Sequence, residues 1–184
     1  MPKRVEVRIS GLGGQGVVLA GEILGIAAVY DGKHAVQTQS YGAEARGSAA
    51  RSEVIISDEK VGFPKVRKCD ILVAMSQSAL DKHLKDLKEG GTLLVDDGMV
   101  KMIPKVKAEI FKISATKIAE TELKSRIYAN AVMLGAVTQI ANLVTKEAAE
   151  KAIIRSVPDE TKESNLKGFK KGATEVMKRA VGNY

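Results

Sequence analysis

The chain has one cysteine, two histidines and no tryptophan in 184 residues, and each shortage removes a class of chemistry. With Cys69 alone there is no disulfide, and no iron–sulfur cluster, which takes several thiolates. His34 and His83 are too few and too far apart to suggest a metal site. Cys69 stands beside Asp70, whose carboxylate disfavours the thiolate, so it reads as a structural thiol rather than a nucleophile. Only three Phe and four Tyr are present and the lysines are scattered, so the net charge of +7 comes with no stacking platform for nucleic acid. No apolar run reaches the ~18–20 residues of a membrane span. The opening Met1-Pro-Lys-Arg-Val shows no apolar signal region, and a cytoplasmic location is expected. Whatever the chain does, it is expected to carry no redox centre and no metal of its own.

What is present reads as an ordinary globular chain, at 45% hydrophobic and 28% charged residues. Apolar–polar alternation and short apolar runs predict strands at 5–10, 34–39, 51–57, 70–75, 92–96 and 108–113. A helix follows the first strand from Val17, and Ser76 is placed to cap another over 77–88, closed by Glu89-Gly90-Gly91. From Ser125 onward the pattern is helical: an apolar helix over 128–144, one capped by Thr145, and a charged one after Val157-Pro158. This order predicts an α/β, Rossmann-like three-layer fold with a mostly parallel sheet and a helical C-terminal part. The chain is read as one domain over 1–184, with a sheet core over about 1–115 and helices over about 116–184.

The most informative feature is Gly11-Leu-Gly13-Gly14-Gln15-Gly16, set between a strand and a helix. Glycines at that junction let the backbone approach a ligand at the free N–H groups of the helix start. The spacing fits the G-x-G-x-x-G dinucleotide pattern in its proper context. The rest of that pattern fails. The second strand, 34–39, ends in Ser40, Tyr41 and Gly42 rather than in the acidic residue that would hold a ribose, and Asp31 lies before that strand, at the wrong end of the sheet.

A second unusual stretch, Ser40-Tyr41-Gly42-Ala-Glu44-Ala-Arg46-Gly47-Ser48, follows the second strand. In a parallel sheet it lies at the same edge as the glycine loop, where Arg46 offers a fork of donors to a carboxylate or phosphate and Glu44 can orient it. The plain alternative is a surface loop held by a Glu44–Arg46 pair, as the plain alternative for the glycines is close strand–helix packing. Asp96-Asp97-Gly98 reads as a strand-end turn with Gly98 left-handed, rather than as a carboxylate pair. Asn130 and Gln139 read as core amides, with Asn130 near enough to its helix start to face the loops.

Together these motifs resemble the gamma subunit of the 2-oxoacid:ferredoxin oxidoreductases. The likeness runs on through Asn130-Ala-Val-Met-Leu-Gly-Ala136 and through the Pro, Glu, Asn and Gly spacing of residues 157–172, so it covers nearly the whole chain. Ser40-Tyr-Gly-x-Glu-x-Arg is closer to the 2-oxoglutarate branch than to the pyruvate branch. The resemblance departs at two places: Ser48 stands where glycine is usual and Ala43 where proline is common.

The resemblance implies a subunit of a complex that converts a 2-oxoacid, coenzyme A and oxidised ferredoxin to acyl-CoA, CO2 and reduced ferredoxin. Thiamine diphosphate, magnesium and iron–sulfur clusters are then expected in partner subunits, with ferredoxin met through the complex. This chain is expected to hold no cofactor alone, to contribute no catalytic residue, and to be inactive by itself. Its expected contact set for coenzyme A, or for a partner at the same place, is Gly11, Gly13, Gly14, Gln15, Gly16, Ser40, Tyr41, Glu44 and Arg46. No membrane or nucleic-acid partner is expected. Two other readings stay open: a stand-alone Rossmann-like nucleotide-binding oxidoreductase, and a structural subunit whose loops hold no ligand.

Overall fold

A computed structural model of the chain describes residues 4–42 and 49–181. Six strands form one sheet: β1 (Arg4–Leu12), β2 (His34–Tyr41), β3 (Ala49–Ser57), β4 (Cys69–Ala74), β5 (Leu87–Asp96) and β6 (Glu109–Ile113). Their order is β2-β3-β1-β4-β5-β6. β1, β4, β5 and β6 run parallel, as the strand–helix alternation predicts. β3 instead pairs antiparallel with both β1 and β2. The segment joining β2 to β3 is too short for the crossover a parallel pair needs, so the chain turns back as a hairpin, closed by the Gly42 N–H on the Ala49 carbonyl. Two reversals cancel, so β2 points the same way as β1.

The helices are α1 (Val17–Tyr30), α2 (Gln77–His83), α3 (Ala115–Glu122), α4 (Ala129–Ala141), α5 (Lys146–Ser156) and α6 (Lys162–Val181). One face of the sheet, through Val7, Ile9, Val54, Val73 and Leu94, packs in a single core with α1, α4, α5 and α6. The other, through Ile55, Leu72, Ala74, Leu93 and Val95, is covered by α2 and flanking loops. No helix among the described residues is long and apolar enough to cross a membrane.

Two local expectations are corrected. The helix predicted over 77–88 ends at His83, and after one 3-10 turn Leu87 opens β5 opposite Cys69. Leu87 is buried there, and pairing in the sheet outweighs the helical preference of Leu84-Lys-Asp-Leu87. Glu89-Gly90-Gly91 is therefore a bulge inside β5, at a shift of the β4–β5 register, with Gly90 at φ 76°. The caps hold as read: the Ser76 and Thr145 hydroxyls each accept from the N–H three residues on, both at 3.2 Å.

Candidate functional site

The glycine turn sits where β1 hands over to α1. Gly11 is still paired with Ala50 in the sheet, and Gly13 and Gly14 are exposed, Gly14 at φ 89°. Gly16 caps α1 in the left-handed region, at φ 70°, and brings no side chain to the free N–H groups of the first turn. That helix start lies at the carboxyl ends of the strands, where open α/β sheets take their ligands.

Two amides brace this turn from within. The Gln15 carbonyl oxygen accepts from the Leu12 N–H at 2.6 Å, and its NH2 donates to the Met75 carbonyl at the end of β4, at 2.9 Å. Gln15, expected among the contact residues, thus spends both ends of its side chain inside the protein. A side chain at Gly11 would overlap that amide. The second brace is Asn130, at the start of α4, whose Nδ2 donates to the Gly16 carbonyl at 3.3 Å. Any side chain at Gly16 would run into Asn130, so steric exclusion adds to the backbone requirement.

Ser40 and Tyr41 end β2 and are exposed, Tyr41 by 61%. In the sheet register Tyr41 and Gly11 both lie opposite Ala50, so the two motifs reach the same edge with β3 between them. Strand spacing puts their backbones about 10 Å apart. Glu44 and Arg46 lie outside the described residues.

Other expectations resolve as follows. Asp31 is at the opposite edge, accepting from the Thr145 N–H and hydroxyl at 2.6 Å each, and so holds the start of α5. Asp96 is fully buried and accepts from the Thr116 N–H and hydroxyl and from the Gly98 N–H. Burial raises its pKa, and it acts as a structural acceptor between β5 and α3. Gly98 is not among the left-handed glycines, so that detail of the turn is corrected. Gln139 is exposed, contrary to its reading as a core amide, whereas Asn130 is 4% exposed and does face the glycine loop. Cys69 is buried, and burial pushes its thiol up to about 11, which leaves it protonated and inert. Among the described residues no group of His, Cys, Asp and Glu is arranged to hold a metal ion.

One cluster was missed. Arg8, on an alternating strand whose polar side reads as solvent-facing, is 2% exposed. Its guanidinium bonds Glu53 on β3 at 2.6 Å, Asp86 at 2.5 Å and the Val66 carbonyl at 3.1 Å. His83 packs nearby, and burial, with the positive charge of Arg8, lowers its pKa to about 4. The signal was available only after pairing, because Glu53 lies directly opposite Arg8 in the register.

A cavity of about 400 Å³ opens at the other edge of the sheet, lined among others by Val5, Lys33, Ile71, Lys88 and Leu143. Its lysines are engaged, Lys88 by Asp70 and Lys33 by the Leu143 carbonyl, and neither motif reaches it. The glycine edge, where no side chain among the described residues caps the start of α1, is the better candidate for chemistry.

Comparison with known proteins identifies the family. Residues 6–175 match the family described as pyruvate ferredoxin/flavodoxin oxidoreductase. The 2-oxoglutarate synthase subunit KorC of Methanocaldococcus jannaschii is 58% identical over 172 residues, 92% of each chain. The crystal structure of a keto/oxoacid ferredoxin oxidoreductase gamma subunit from Geobacter sulfurreducens is 46% identical, covers 95% of this chain and 99% of its own, and superposes with a TM-score of 0.85. The ketoisovalerate oxidoreductase subunit VorA of Methanothermobacter marburgensis is 34% identical over 99% of this chain, which spans 38% of that longer subunit. The chain therefore belongs to the pyruvate ferredoxin/flavodoxin oxidoreductase family, as a gamma-type subunit.

Proposed function

We propose that this chain serves the 2-oxoglutarate member of the family, in a cytoplasmic complex that converts 2-oxoglutarate, coenzyme A and oxidised ferredoxin to succinyl-CoA, CO2 and reduced ferredoxin. The observation that carries the reading is the meeting of both motifs at one sheet edge, Gly11 and Tyr41 level across Ala50, with the start of α1 beside them. Backbone N–H groups at a helix start suit the phosphates of coenzyme A. In this reading Gly11, Gly13, Gly14 and Gly16 shape the receiving turn, Gln15 stiffens it, and Ser40, Tyr41, Glu44 and Arg46 form the facing wall with Arg46 as the anion contact. Thiamine diphosphate, magnesium and the clusters sit in partner subunits, and the whole of 1–184 acts as one domain.

The dinucleotide reading has less support. β2 offers no carboxylate at its end, and Asp31 is committed to Thr145 at the far edge. The test is the complex reconstituted with its partner subunits, assayed for reduction of ferredoxin with single 2-oxoacids. Preference for 2-oxoglutarate, with Arg46→Ala raising the KM for coenzyme A and leaving cluster content unchanged, is expected. Normal coenzyme A kinetics in an intact Arg46→Ala complex would remove the site assignment. Preference for pyruvate or a branched 2-oxoacid would remove the substrate.

A further inference from the structure

Asn130 sits in the first turn of α4, on an element far from the glycine motif in sequence. Its Nδ2 donates to the Gly16 carbonyl, while its Oδ1 accepts from the Ala131 N–H at 2.8 Å, so the amide cannot turn over without losing both bonds. The Gly16 carbonyl also accepts the Ala20 N–H at 3.0 Å, the first bond of α1. It belongs to the same planar peptide unit as the Val17 N–H, which points the opposite way. Fixing the direction of that carbonyl therefore fixes the direction of the outermost helix donor at the turn.

Asn130 is itself held from behind. α4 crosses α6 so closely that a methyl group on Gly135 would overlap the Phe169 carbonyl, and one on Gly172 would overlap the Val132 carbonyl. Backbone packed on backbone leaves α4 no room to slide. Phe169 is fully buried beside that crossing. The glycines of the C-terminal helix thus bear on the glycine turn at the other end of the sequence, through one amide.

We propose that Asn130 is a positioning residue for the reaction: braced by α6, it aims the Val17 N–H at the coenzyme A phosphates received by the glycine turn. This rests on the reading of that turn as the coenzyme A contact. The test uses the assembled complex with Asn130→Asp, which keeps size and the bond to Ala131 but replaces the donor with a charged acceptor, and with the neutral Asn130→Ala, whose kinetics decide the outcome. The readouts are steady-state kinetics and amide hydrogen exchange of residues 13–20.

A rise in the KM for coenzyme A of about tenfold, the weight of one buried hydrogen bond, is expected. kcat and the KM for the 2-oxoacid should stay unchanged, while exchange at 13–20 quickens and that of α4 does not. Unchanged exchange in both variants would overturn the positioning role. Faster exchange with unchanged coenzyme A kinetics would overturn the placement of coenzyme A at the turn while leaving the brace. Equal loss for both substrates would mean a merely structural residue, and would also overturn the proposal.

Discussion

Arg8 shows how a single buried charge ties this sheet together. Its guanidinium lies between Glu53 on the neighbouring strand and Asp86 beyond α2, and removing it alone would leave the buried Glu53 and the partly buried Asp86 without their shared cation. Arg8→Met is expected to lower stability by about 3–5 kcal/mol, read as a drop in the urea midpoint. Beside it, His83 responds to pH through the same cluster, facing Arg8, Arg51, Lys82 and Asp86. The folded protein binds its proton only near pH 4, whereas the unfolded chain binds it near 6.5. Stability is therefore lost as pH falls through that window, and His83→Phe should flatten the slope of unfolding free energy against pH between 6.5 and 4. Cys69 makes the complementary case at alkaline pH. Its thiol, held near 11, should resist iodoacetamide at pH 8 in the folded protein and react at once in urea.

At the scale of elements, the crossing of α4 and α6 is the most sensitive joint. Gly135→Ala and Gly172→Ala each put a methyl group on a backbone carbonyl that can retreat only by separating two helices. Each is expected to cost about 3 kcal/mol or more, against little change for Gly62→Ala, where nothing lies in reach; chemical denaturation of the three variants checks this. The same joint explains what was legible in the sequence. Element types came through wherever the pattern was long or a cap was chemical, as at Ser76 and Thr145. They failed at Leu84–Leu87, where local preference is helical and the deciding partner, Cys69, is remote in sequence. Arg8 was hidden for the same reason, since polarity alone cannot say that its partner is across a strand. The glycine turn was legible because its requirement is local: Gly14 and Gly16 need positive φ wherever the rest of the chain goes. The sequence placed Asn130 near enough to the loops to face them; what it could not show is that the amide bonds the Gly16 carbonyl and so fixes the turn.

For the molecule as a whole, the sheet and the C-terminal helices share one interior. Val7, Ile9, Val73 and Leu94 of the sheet belong to the same buried cluster as Met133, Val137, Phe169 and Val176 of α4 and α6. The expected division at about residue 115 is thus a change of architecture and not of core. Neither part can keep its apolar face covered without the other. Two-state unfolding follows: secondary structure by circular dichroism and tyrosine emission, in a chain without tryptophan, should report one coincident urea transition. Truncation after Val157 sharpens the test, because it strips α6 from α4 and leaves Met133 and Val137 of the shared core exposed. Such a fragment should lose the sheet as well as the helices, with no native-like transition. A folded sheet in the fragment, or two separated transitions in the full chain, would show instead that the helical part is an independent unit resting on a self-sufficient sheet.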